Sequence, residues 1–188
     1  ADEYGVDPDF IVVTGGSAGG HLAAMVGLTP GDPEYQPGFE AADTSVCAAV
    51  VFYGVLDLKN PNYRPLLERL VLRVKFAEHP EAFERASPID RVHAGAPPFL
   101  VVHGSRDTLA SVKDARRFVA ALREVSRAPV RYVELLGAEH AFDVFASVRT
   151  VQMVEAVERF LDAQHRSYVA ALAAGAAGEA APALAAGP

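Results

Sequence analysis

The stretch "FIVVTGGSAGGHLAAMV", residues 10–26, decides how this chain is read. Its first part is rich in β-branched residues and predicts a strand over 10–15, buried on both faces. Small and apolar residues from Ala18 to Leu28 suit a helix, stopped by Pro30. Between them Gly15-Gly16-Ser17-Ala18-Gly19 satisfies the pattern G-x-S-x-G. A strand that turns straight into a helix forces the central Ser into a strained backbone conformation and lifts its hydroxyl above the sheet. The residues two away on either side must then be small, because the two backbones nearly touch. The helix start also sets the amide of Ala18, and positive dipole potential, where an oxyanion would form. Ser17 is therefore a candidate nucleophile. The competing reading is a Gly-rich turn needed only for packing.

Outward from this turn, strands and helices alternate. "VCAAVVFYG" (46–54), "FLVVHG" (99–104) and "VRYVELL" (130–136) read as three further strands. "SVKDARRFVAALREVS" (111–126) and "RTVQMVEAVERFLDAQHRSYV" (149–169) are amphipathic helices, and "PLLERLVLRVKF" (65–76) spaces apolar residues along one helical face. Residues 1–9 read as the end of a helix turned by Gly5 and broken by Pro8. Such alternation predicts an α/β fold, a mainly parallel sheet with flanking helices. One domain is expected over 1–168, with a candidate cap segment at 58–88. Residues 169–188, more than half Ala, are expected to be a mobile tail.

Composition bounds the function. A net charge of -7 offers no basic face for nucleic acid. The single cysteine, Cys47, rules out an internal disulfide and is expected to be a buried, inert thiol. No signal peptide or membrane span is visible. A cytoplasmic protein is the default expectation, although the chain opens on Ala1 and an anchor upstream would lie outside it. Lipid contact has only the apolar face of 65–76 in its favour, and the oligomeric state is not readable.

A Ser hydroxyl needs a base to take its proton. Of six histidines, His140 in "LLGAEHAFD" follows the last strand, on the sheet edge that should also carry Ser17. His21 is expected to pack beside the turn, His79 and His165 to be solvated, His93 to sit in an ordinary loop, and His103 to be structural. The base needs an acid to hold its tautomer. Asp107 in "HGSRDTL" follows the third strand, separated from His140 by one helix and one strand. Asp57 in "YGVLDL" is the rival acid. Asp143 lies too close to His140 in sequence to orient it easily from behind.

In "DPDFIVVTGGSAGGHLAA", "FLVVHGSRDTL", "GAEHAFD" and "ERASPIDRVHAGAPP" the chain resembles the α/β-hydrolase superfamily. Within it, the chain resembles the branch of esterases and lipases related to hormone-sensitive lipase and to ferulic-acid-esterase-like carboxylesterases. The likeness spans about residues 1–165. It implies the α/β-hydrolase fold, with Ser17 as nucleophile, Asp107 as acid, His140 as base and the Ala18 amide as half of an oxyanion hole. The implied activity is hydrolysis of carboxylic esters through an acyl-enzyme, with no metal or organic cofactor. Short or medium acyl groups on a small-molecule ester are expected because no extended lipid-binding region is visible in the sequence.

Two departures stand out. Gly16 and His21 occupy positions where many relatives carry Asp and Asn. The HGGG-like stretch that usually supplies further oxyanion amides upstream does not occur in these 188 residues. The expectation is a carboxyl-terminal part of a hydrolase, lacking its amino-terminal strands and inactive or nearly so by itself. A prolyl-oligopeptidase-like peptidase, an aryl-formamide amidase and a non-catalytic hydrolase-fold module are the alternatives.

Overall fold

The computed structural model describes residues 3–179. Four strands, β1 (Val12–Gly16), β2 (Ala48–Phe52), β3 (Phe99–Gly104) and β4 (Val130–Leu135), form one sheet in the order β1-β2-β3-β4. All three pairings are parallel, with Val12 opposite Ala48, Ala49 opposite Phe99, and Phe99 opposite Val130. Helices α1 (Ala18–Leu28), α4 (Val112–Val125) and α5 (Val148–Glu179) supply the flanking layers. The β2–β3 connection carries two short helices, α2 (Arg64–Leu70) and α3 (Pro80–Ala86).

The period-2 geometry of the strands sorts the core into two layers. On one face Ala49, Val51, Phe99 and Val101 pack with Ala23, Ala24 and Leu28 of α1 and Ala115, Phe118, Val119 and Leu122 of α4. On the other, Ala48, Val50, Leu100 and Val102 meet Met153 and Phe160 of α5. The α4 set recurs at helical spacing, which is why that helix was legible. Phe99 and Phe118, both fully buried, meet edge to face at 5.8 Å, each stabilising by about 1.5–3 kcal/mol.

Several expectations need correction. β1 is half-buried rather than buried on both faces, because among the described residues it pairs on one side only, with β2. The helix expected over 65–76 ends at Leu70, and the chain turns through Arg73 at φ 57. Its apolar face does not pack on the sheet: Leu66, Leu70 and Val71 are all more than half exposed. Residues 3–9 form turns around Gly5 (φ 62), not the end of a helix. α5 continues past 169 to Glu179, because Ala-rich sequence favours helix even without an apolar stripe. The remainder of the expected tail, 180–188, lies outside the described residues.

The C-terminal ends of all four strands open on one sheet edge, the edge where loops of open parallel sheets carry ligands. Ser17 follows β1, Tyr53 and Asp57 follow β2, Asp107 follows β3 and His140 follows β4. Among the described residues no helix is long and apolar enough to cross a membrane.

Candidate active site

Ser17 occupies the single residue between β1 and α1, at φ 57 and ψ -117. A non-glycine residue held there costs about 1–3 kcal/mol, so the surroundings must enforce it. They do so through backbone bonds on both sides. The Ser17 amide donates to the Phe52 carbonyl at 3.0 Å, and the Ser17 carbonyl accepts the His21 amide at 3.0 Å. Crowding explains part of the glycine pattern. A Cβ at Gly15 would lie 2.3 Å from the Gly19 carbonyl oxygen, and one at Gly20 would lie 2.6 Å from that of Phe52. Gly19 itself is not crowded, since a Cβ there would meet nothing within 4 Å. Of the two motif positions flanking Ser17, only Gly15 is required by space, and Gly20 carries the second close approach.

The structure brings Ser17, His140 and Asp107 into one hydrogen-bonded row. His140 Nε2 lies 2.8 Å from Ser17 Oγ, and His140 Nδ1 lies 2.8 Å from Asp107 Oδ2. With the carboxylate accepting from Nδ1–H, Nε2 is left as an acceptor for the Ser17 hydroxyl proton. Asp107 has no exposed side-chain surface. Its Oδ1 accepts the amides of Leu109 (2.9 Å) and Ala110 (2.7 Å), while its Oδ2 is shared by His140 and by His103 Nε2 at 3.2 Å. Burial opposes the charge, but the bonds from His103, Ala110, His140 and Leu109 outweigh it and hold the carboxyl at about 2. Asp107 is therefore ionised across the pH range in which an imidazole can accept a proton.

The rival acid is engaged elsewhere. Asp57 Oδ2 accepts from Arg117 at 3.0 Å, and Asp57 Oδ1 accepts the Lys59 amide, closing a turn. The other histidines sort by their partners. His21 Nε2 donates to the Ala86 carbonyl at 2.8 Å, pinning the α1 turn to the end of α3, and burial lowers its pKa. His103 is fully buried on Asp107, its Nε2 also 3.1 Å from the Ala110 carbonyl. His79 pairs with Glu81, His93 accepts the Gly95 amide, and His165 is exposed, as expected, with its ring edge-on to Phe10 at 5.0 Å. The Cys47 thiol is half-buried and donates to the Asp9 carbonyl.

Sequence reasoning misses Tyr53 and considers Asp143 only as an acid set behind His140. Tyr53 sets its ring 4.7 Å from that of His140, and its hydroxyl donates to Asp143 Oδ1 at 2.5 Å. The one available signal was position: Tyr53 directly follows a strand, as Asp107 and His140 nearly do. Among the described residues no cluster of His, Cys, Asp or Glu is arranged to hold a metal ion.

The BD-FAE family model matches residues 1–122. Esterase LipQ of Mycobacterium tuberculosis is 50% identical over 164 residues, covering 85% of this chain and 39% of that protein. Esterase LipC of the same organism is 48% identical over 173 residues, covering 88% and 43%. The chain thus spans about two fifths of the length of these relatives. Among solved structures, esterase 2 of Thermogutta terrifontis, phosphoramylated by tabun, superposes with a TM-score of 0.69 at 30% identity, covering 85% of this chain and 56% of that one. The same esterase has been solved phosphorylated by paraoxon and with butyrate bound. With this sheet, this layering and these matches, the chain has the α/β-hydrolase fold and belongs to the BD-FAE family.

Proposed function

We propose that this chain carries the nucleophile, base and acid of a serine esterase acting on small carboxylic esters with short or medium acyl groups. The observation that carries the proposal is the unbroken row from Ser17 Oγ through His140 to a buried, ionised Asp107, on a serine held at φ 57. Ser17 Oγ attacks the ester carbonyl carbon while His140 Nε2 takes its proton, and the carbonyl oxygen becomes an oxyanion. The Ala18 amide, at the first position of α1 and without an intrahelical acceptor, donates to that oxyanion. Collapse of the intermediate breaks the bond to the alcohol, which leaves with the proton from His140. Water, deprotonated by the same imidazole, then attacks the acyl-enzyme and releases the acid. No metal or organic cofactor enters this sequence.

Esterase relatives at about half identity support the reaction class. Paraoxon phosphorylates the Thermogutta esterase and butyrate is seen bound to it, which supports an activated nucleophile and a short acyl group. Residues 58–88 are proposed as the cap over the acyl site. The test is turnover of p-nitrophenyl acetate and butyrate by the complete gene product beside Ser17→Ala, with fluorophosphonate labelling of both. Turnover and labelling that vanish together in the variant are expected. Turnover that survives the substitution would overturn the proposal.

A further inference from the structure

His140 and Ser17 lie 123 residues apart, so tertiary contacts alone fix their separation. The loop carrying His140 leaves β4 at Leu135 and reaches α5 at Val148. Ahead of His140 it is tied to the Asp107 loop: the Gly137 amide donates to Ser105 Oγ at 2.8 Å, and the Arg106 amide donates to the Ala138 carbonyl at 3.0 Å. Beyond His140 the backbone turns through Ala141 at φ 54. Thr150 of α5 reaches the carbonyls of Phe142 and Phe145 there. The side chain that arrives from the sheet is Tyr53.

Tyr53 makes three contacts within four residues of this loop. Its ring lies 4.7 Å from His140 and 5.2 Å from Phe142, edge to face in both cases, and its hydroxyl donates to Asp143 Oδ1. Only 6% of Tyr53 is exposed, and its backbone sits at φ 36, a conformation bulky residues rarely adopt. The site is shaped around the phenol on the other side as well. A Cβ at Gly16 would lie 2.7 Å from the Tyr53 hydroxyl oxygen and 3.0 Å from Cζ. The residue just before Ser17 is thus glycine where the phenol needs the room, which accounts for Gly16 standing where many relatives carry Asp. Burial and the neighbouring Asp143 push the phenol well above its ordinary pKa, so it stays a donor across the range in which an imidazole accepts protons.

We propose that Tyr53 and Asp143 form a positioning pair that holds the His140 imidazole within hydrogen-bonding reach of Ser17 throughout the proton transfers. The proposal rests on the serine-esterase reading of Ser17, His140 and Asp107. Asp143 reaches His140 not from behind, as an orienting acid would, but through the tyrosine packed against the ring.

The test compares Tyr53→Phe, Asp143→Ala and Asp143→Asn in the complete gene product, with p-nitrophenyl butyrate as substrate. Misplacing a reacting group by about 1 Å can cost about 10²-fold. Tyr53→Phe and Asp143→Ala are accordingly expected to lose about 10- to 100-fold in kcat with KM nearly unchanged. The downfield NMR signal of the His140 Nδ1 proton should broaden in both. Asp143→Asn still offers an oxygen to the Tyr53 hydroxyl and should recover most of what Asp143→Ala loses. Because Asp143 lies on a loop outside both core layers, its variants remain informative even if Tyr53→Phe folds poorly.

Wild-type kcat in Asp143→Ala would overturn the pair, as would Asp143→Asn falling as far as Asp143→Ala, since charge rather than the tether would then be what matters. In either case a wild-type product that hydrolyses and labels leaves the esterase reading standing. A wild-type product that does neither overturns that reading and the proposal with it.

Discussion

An added Cβ at Gly20 would stand 2.6 Å from the Phe52 carbonyl oxygen and 3.1 Å from Gly54 Cα, both backbone atoms that cannot turn aside. At Gly19, one residue earlier and inside the G-x-S-x-G pattern, it would meet open space. Gly20→Ala is expected to destabilise by about 1–3 kcal/mol through overpacking. Gly19→Ala should instead stabilise by about 0.4–1 kcal/mol, because it narrows the unfolded ensemble at a position already helical. Denaturant unfolding of the two variants side by side checks the contrast, and equal losses would show that the motif glycine is needed for more than space. The same contrast marks what was legible at this scale. Ser17, Asp107 and His140 each follow a strand that its own composition reveals, so chain order and the sheet edge bring them together on paper. Tyr53 and Asp143 were illegible because their roles depend on a contact across 90 residues that no local pattern encodes.

Between elements, His21 is the joint that ties the Ser17 turn to α3. Its Nε2–H bond to the Ala86 carbonyl is the fastening, and burial lowers its pKa below the ordinary 6.5 while that bond works in the opposite direction. A histidine neutral in the fold takes up a proton more readily when unfolded. Its contribution is therefore fully present above the unfolded pKa and lost as pH falls from about 6.5 through the lower folded value. His21→Gln keeps a donor for Ala86 but cannot titrate. Unfolding free energies at pH 7.5 and 5.5 should fall less between the two conditions in this variant than in the wild type, and parallel pH slopes would exclude the joint as a titrating site. α1 and α4 were legible because their apolar residues recur at helical spacing or their boundaries are marked by Ser17 and Pro30. α3 was not: it buries only Phe83, so a seven-residue helix carries no periodic signal. α2 stops short of its apolar pattern: among the described residues Leu66, Leu70 and Val71 stay more than half exposed, and propensity alone holds few short helices.

At the scale of the whole molecule, the two helices that share one face of the sheet are not equally finished. α4 buries Phe118, Val119 and Leu122, whereas α1 buries Ala23, Ala24, Met25 and Leu28 but leaves Leu22 and Val26 61% and 42% exposed. Those two line an apolar groove of about 300 Å³ with Met25, Tyr35 and Phe39. On the preceding strand, β1 pairs only with β2 among the described residues, so its outer backbone groups have no ladder partner there. An apolar helix face beside an unpaired strand edge favours association. The net charge of -7 opposes it, and salt screens that repulsion within about 8 Å at physiological ionic strength. The isolated 188-residue polypeptide is therefore expected to self-associate with rising concentration, and more strongly as salt increases. Leu22→Lys combined with Val26→Glu should reduce both the association and the binding of a hydrophobic dye without lowering the thermal midpoint, because neither side chain belongs to the core. Sedimentation velocity across a concentration and salt series decides it. A polypeptide that stays monomeric throughout would mean that the groove and the β1 edge are too small or too polar to drive contact.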